Sequence, residues 1–281
     1  MQFAILLPAY ADDPASASLE SREEAALKAA VETVAPSVVQ IRTIGGFDSV
    51  EGTVFADGPT TGLIISPDGY IISSAFNFAQ QPASILITFA SGKQTPAELV
   101  ATDHSRMLVL LKANGVTDLP APMMSPLSEI RPGQWAVAVG RTFRADKTNV
   151  TVGIVSALGR MFGKAIQTDA DVSLANYGGP LVDVRGRVLG VIVPMAPQPA
   201  SEVAGAEWYD SGIGFAIPLV DCLQRLPTLK AGKDLHPGVM GISLKQGDRY
   251  ALPAELAATH PLSPAYKAGL KAGDTIVEID G

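Results

Sequence analysis

Short runs of alternating apolar and polar positions dominate the chain. The segments Val38–Arg42, Gly62–Ile65, Tyr70–Ser73, Ile85–Phe89, Leu99–Ala101 and Leu108–Lys112 are rich in β-branched residues, and Pro67-Asp68-Gly69 and Ser91-Gly92 punctuate them as turns. A proline-rich bridge carrying Pro120, Pro122 and Pro126 leads to a second set: Trp135–Val139, Val150–Ser156, Leu181–Val184, Val188–Val193 and Ile213–Ile217. Short strands at regular spacing without intervening helices predict barrels or sandwiches. Helical patterning is confined to the flanks. A capping box, Ser21-x-x-Glu24, opens a helix with Leu27, Val31 and Val34 on one face, and Leu219–Leu226 reads as a second helical segment.

With 281 residues, 47% of them hydrophobic, the chain is long enough for a sizeable core and for more than one domain. Its 28 acidic and 21 basic residues give a net charge of −7, and no Lys/Arg cluster stands out, so a nucleic-acid partner is not expected. The single cysteine, Cys222, excludes an intrachain disulfide and a thiolate metal site, and reads as a small buried residue. His104, His236 and His260 are scattered without metal-ligand spacing, so no metal or other cofactor is expected. Met1–Ala11 is an apolar stretch, too short to span a membrane, that ends Ala9-Tyr10-Ala11, the small-x-small form of a signal-peptidase site. No basic residue precedes it, which leaves open a leader that begins upstream and a frayed N-terminus.

One stretch presents a single side chain on a rigid shelf: Ala175-Asn176-Tyr177-Gly178-Gly179-Pro180 feeds an apolar strand, a turn at Arg185-Gly186 and a second strand. It resembles the nucleophile loop of trypsin-like serine proteases of the high-temperature-requirement (HtrA) family, Gly-Asn-Ser-Gly-Gly-Pro, with tyrosine in place of serine. The likeness extends over about Ser37 to Leu226. Thr61–Ile72 resembles the family's first hairpin, Gly153–Arg160 its crossing strand, and Ile166–Ala170 and Gly212–Pro218 match in the same order. The resemblance implies an all-β fold, a trypsin-like double six-stranded β-barrel with an N-terminal helix, followed by an incomplete PDZ domain. The boundaries it implies are 1–35 for leader and helix, 36–228 for the double barrel, 229–236 for a linker and 237–281 for the first half of the PDZ domain.

A serine protease needs a hydroxyl beside an imidazole that takes its proton, a carboxylate that orients the imidazole, and amide donors for the oxyanion. Where the family continues Thr-Asn-Asn-His, this chain reads Ser73-Ser74-Ala75-Phe76, which puts Phe76 in the histidine slot. Arg106-Met107-Leu108-Val109-Leu110 puts Met107 in the aspartate slot, and Tyr177 fills the serine slot. None of the three can replace its counterpart: Phe76 accepts no proton, Met107 orients no imidazole, and a phenol carries its oxygen a ring's length too far. Ala175 stands where the family has glycine, which puts the oxyanion amide in doubt. Asn176 and Gly178 remain candidate peptide contacts on this loop. Asp171 aligns with the specificity-pocket floor of basic-specific trypsin-like enzymes; it reads either as a Lys/Arg-binding carboxylate or as a solvated loop residue.

Val239-Met240-Gly241-Ile242 resembles the carboxylate-binding loop and first groove strand of a PDZ domain, which binds peptides by strand addition. The sequence ends at Asp280-Gly281, a turn cut midway, so it is either cut inside that domain or carries a defective one. These features predict a catalytically inactive homologue that binds unfolded or extended polypeptide as a scaffold, sensor or chaperone-like factor. A complete PDZ domain adds C-terminal peptides as ligands. The alternative is an active serine-type endopeptidase with a rearranged site built from His104 and Ser73, Ser74, Ser105 or Ser173. A third reading has the barrels only hold the PDZ module. Family members often form trimers, which makes a homo-oligomer an expectation, and the leader pattern with the resemblance implies an extracytoplasmic location, periplasm or cell envelope.

Overall fold

The structure is a computed structural model; it describes residues 18–45, 49–50, 53–54, 59–195, 212–245 and 253–279. The expected leader lies outside the described residues. Helix α1 spans Leu19–Val34 and starts one turn earlier than the capping box predicts. Its N-cap is Ser18, whose hydroxyl accepts from the Ser21 amide at 3.2 Å, while Glu24 pairs instead with Lys28 one turn on. Ala30 and Val34 are buried, and Leu27 and Val31 pack beside them, as the pattern predicts.

Six strands close the first barrel: β1 (Val38–Ile44), β2 (Thr60–Ile64), β3 (Tyr70–Ser74), β4 (Ser84–Thr88), β5 (Gln94–Asp103) and β6 (Leu108–Ala113). Six more close the second: β7 (Trp135–Arg144), β8 (Lys147–Gly159), β9 (Ala165–Thr168), β10 (Pro180–Val182), β11 (Val188–Ile192) and β12 (Gly214–Pro218). Around the first barrel the order is β1-β2-β3-β6-β5-β4, and around the second β7-β8-β9-β12-β11-β10. The two barrels therefore follow the same path. Strand β9 has no counterpart among the runs predicted from alternation, and the structure adds it.

Alternate residues of each strand serve two different cores. Val39, Ile41, Ile64, Ile71, Val109 and Leu111 fill the first barrel; Ala136, Ala138, Val155, Ile166 and Leu181 fill the second. Their sequence neighbours Val38, Leu63, Ile72, Leu108, Leu110, Val137 and Val139 face outward into a third cluster, which also holds Val34 of α1 and Leu219, Cys222 and Leu229 of helix α2 (Leu219–Lys230). This shared layer buries both faces of the central strands and joins the barrels and the two helices.

The segment predicted as a linker is tied down in its first part. Leu229 is 2% exposed, and beyond the helix the Leu235 amide donates to Thr102 O at 2.9 Å while its carbonyl accepts from the His104 amide at 2.8 Å. One compact unit accordingly runs through Leu235, and a second begins at His236. In the second unit, β13 (Ile242–Leu244), β14 (Ala254–Thr259) and β15 (Thr275–Ile276) form an antiparallel sheet with β13 at an edge. Gly241 is the turn into β13: its φ is +74°, and a Cβ there would sit 2.2 Å from Ser263 Cβ.

Candidate functional site: a closed turn under an aromatic pair

The turn before β10 folds on Ser173. The Ser173 carbonyl accepts from the amides of Asn176 at 3.0 Å and Tyr177 at 3.1 Å, and its hydroxyl accepts from the Ala175 amide at 3.2 Å. The Asn176 side chain closes the ring by accepting from the Ser173 amide at 2.7 Å. The far side is fixed as firmly, because the Ala175 carbonyl accepts from the Thr61 hydroxyl at 3.2 Å, the Thr142 hydroxyl at 2.5 Å and the Asn149 side-chain Nδ2 at 3.3 Å. Thr61 belongs to the first barrel, and Thr142 and Asn149 to the second. Behind the turn, the Gly178 amide donates to Ile192 O at 2.8 Å and the Ile192 amide to Gly179 O at 2.9 Å.

Glycine is needed at one point of this turn. Gly178 has φ +85°, and a Cβ there would lie 2.3 Å from Thr61 O and 2.4 Å from Ser73 Oγ. Gly178 thus packs closely against Thr61 and Ser73 of the first barrel. Asn176, 1% exposed, is likewise an internal brace.

Tyr177 is 4% exposed and belongs to the core of the second barrel. Its ring meets Phe76 edge to face, with centroids 6.0 Å apart and planes at 76°. Phe76 sits in a 3-10 turn, Ala75–Phe78, that follows β3 and is capped by Ser74, whose hydroxyl accepts from the Phe76 amide. The Ala75 amide donates to Met107 O at 2.8 Å, which places the aspartate slot beside the histidine slot through main chain. Met107 itself has φ +57°, and its side chain packs with the shared outer layer. The three slots therefore resolve into an aromatic pair and an adjoining methionine that serves a different cluster.

Tyr177 offers no serine hydroxyl, Phe76 and Met107 bring no base or carboxylate, and the amides of residues 175 and 177 are spent on Ser173. Two of the four hydroxyls considered for a rearranged site donate elsewhere: Ser73 to Thr61 O at 2.7 Å, and Ser105 to the Asp103 carboxylate at 2.5 Å. A hydroxyl has one proton to give. Asp171 is exposed, and its main-chain oxygen accepts from the Thr151 hydroxyl at 2.6 Å. In the second unit, Val239 and Met240 are exposed on the approach to Ile242 at the sheet edge, and the carbonyls of Met240 and Gly241 accept from the amides of Ala265 and His260.

Sequence reasoning did not assign the bracing roles of Ser173, Thr61, Thr142 and Asn149. Only Ser173-x-x-Asn176 left a signal, since Ser and Asn three apart are the residues that close such turns with their own side chains.

Residues 60–191 match the family described as trypsin-like peptidase domain. Among curated proteins, the chain is 33% identical over 241 residues to a probable periplasmic serine endoprotease DegP-like of Chlamydia pneumoniae, covering 79% of this chain and 46% of that one. It is 32% identical over 235 residues to the protein of the same name from Pseudomonas fluorescens, covering 79% and 47%. The chain thus spans about half the length of the curated relatives it matches. Of solved structures, the HtrA-type protease AlgW with a tripeptide superposes with a TM-score of 0.71 at 29% identity, covering 90% of this chain and 83% of that one. The same protease with a decapeptide gives 0.69 at 25% identity, covering 90% and 85%.

Proposed function

The chain belongs to the HtrA family of trypsin-like serine proteases, and we propose that it is a member without peptidase activity, which binds extended polypeptide between its barrels in the cell envelope. One observation carries this reading: the residues at the triad slots and the amides at the oxyanion position are both committed to internal packing and hydrogen bonding. Losing a catalytic triad costs on the order of a million-fold in turnover, and each missing oxyanion donor about 10²–10³-fold more. Polypeptide binding is supported by the bound tripeptide and decapeptide of the AlgW structures, and the compartment by the periplasmic naming of the relatives. The C-terminal unit, with Val239–Ile242 leading into an edge strand, is read as the opening half of a PDZ domain that takes peptide C-termini by strand addition.

The test is direct. Purified protein is incubated with unfolded casein and, separately, with a fluorophosphonate probe. Casein should be retained uncut and no serine labelled. Labelling that one serine substitution abolishes would make the protein an endopeptidase with a non-standard site and overturn the proposal.

A further inference from the structure

At the end of β5 lies a buried charge cluster that the proposed binding site does not use. Asp103, at the end of β5, is 0% exposed. Its Oδ1 accepts from the amide of Ser105 at 2.9 Å and from its hydroxyl at 2.5 Å, while Oδ2 has no hydrogen-bond partner and lies 3.8 Å from Arg225 Nε on α2. Three residues on, an Arg106 terminal nitrogen lies 3.6 Å from Asp221 Oδ2, one turn earlier on the same helix, and Arg106 Nε is buried without a hydrogen-bond partner. Two ion pairs of opposite polarity thus link the loop 103–107 to one face of α2, because residues four apart share a helix face. Both pairs are longer than hydrogen bonds, and each leaves a buried polar atom unpaired, which is a costly arrangement.

The same loop is held at two further points. At its root, Leu235 exchanges two main-chain hydrogen bonds with Thr102 and His104, and the Asp234 carboxylate accepts from the Thr102 amide at 2.8 Å. At its tip, Met107 O holds the Ala75 amide, where the turn carrying Phe76 begins.

We infer that loop 103–107 is a latch through which α2 and the chain exit at Leu235 set the position of Phe76 against Tyr177. Closing both ion pairs into hydrogen-bond range requires a shift of roughly 1 Å between loop and helix, and the unpaired Asp103 Oδ2, itself a member of one pair, favours that shift. Met107 O and the Phe76 turn move with the loop. Coupling between distant segments requires an element that both ends bias, and loop 103–107, held by α2 and Leu235 on one side and by the Phe76 turn on the other, is placed to be one. Its purpose, regulating access to the crevice, rests on the reading of that crevice as a polypeptide site; its existence does not.

Hydrogen exchange read by mass spectrometry tests it in the full chain. Variants Arg225→Gln and Asp221→Asn cut the helix side of the latch, Arg225→Lys keeps its charge, and Gln224→Ala alters an exposed residue of the same helix. Expected is exchange in residues 74–79 that quickens at least about tenfold in the first two, recovers in Arg225→Lys, and is unchanged in Gln224→Ala. The hairpin 135–154 should hold its protection throughout. Unaltered exchange at 74–79 in Arg225→Gln, or equal loosening of 135–154, overturns the latch. Adding unfolded casein to the wild type separates the two claims: failure to bind refutes the polypeptide site and leaves the latch to the first comparison.

Discussion

Restoring the triad by Phe76→His, Met107→Asp and Tyr177→Ser together should destabilise the protein without making it a competent protease. Tyr177 is almost fully buried, and truncating a buried aromatic ring costs about 3–5 kcal/mol. The lost edge-to-face contact with Phe76 adds about 0.5–1.5 kcal/mol. Met107→Asp acts in the other direction by a few tenths, since aspartate tolerates the left-handed backbone at φ +57° better than methionine. The total of about 3–6 kcal/mol, at roughly 2–4 °C per kcal/mol for a unit of this size, lowers the melting temperature by about 6–24 °C. A thermal scan followed by circular dichroism measures it. Casein cleavage should stay at least about 10²-fold below that of an intact relative, because the amides of residues 175 and 177 still point at Ser173. A revertant that melts no lower than the wild type, or that cleaves casein at a relative's rate, refutes the reasoning.

Gly178→Ala should lower stability by about 2–5 kcal/mol, read as a shift in the urea midpoint, since it combines an unfavourable backbone region with contact against Thr61 O; an unmoved midpoint counts against the described turn. Burial, with the Asp221 charge second, pushes the Cys222 thiol far above its ordinary value of 9.0, so native protein should not react with Ellman's reagent until unfolded. Because the folded form keeps its proton, this thiol's contribution to stability is full below about pH 9 and declines as pH rises beyond it; the alkaline limb should therefore be steeper in wild type than in Cys222→Ala. In the C-terminal unit, Val277 is 92% and Ile279 68% exposed, so amides in 236–279 should exchange faster than those of either barrel, and equal protection would contradict an uncovered apolar face.

The barrel strands were legible because their residues alternate between two apolar environments, so that Val38 and Val39, or Ile71 and Ile72, are both buried yet in different clusters. Where a local irregularity interrupts that alternation, the sequence misleads. Strand β5 runs over ten residues, but the register shift between Leu99 and Ala101 hides all except its middle. Strand β9 has four residues and follows a turn in which Gly159, Met161, Phe162 and Gly163 all have positive φ, which leaves no period to read. The helix start moved to Ser18 because a capping serine and a serine inside the first turn look alike in sequence. At the site, side-chain identity was legible at each slot. The direction of a main-chain amide is not, and neither is the burial that turns Asn176 and Gly178 into braces.

The inward amides explain why the triad slots can hold apolar residues at little cost. A buried N–H left unpaired is penalised by about 1–3 kcal/mol, so a turn that aims amides at an empty crevice is stable only if water or a ligand meets them. Here Ser173 meets all three amides of residues 175–177, and Thr61, Thr142 and Asn149 together satisfy the Ala175 carbonyl. The turn is thus complete without a ligand, and donors from both barrels make it part of their junction. With the amides of residues 175–177 already paired, Phe76 and Tyr177 can cover the turn without stranding these donors, and their contact adds to the cohesion of the two barrels. On the proposed function, a polypeptide held in this crevice would draw its affinity from apolar surface and strand-edge contacts, because the amides of residues 175–177 are donated to Ser173.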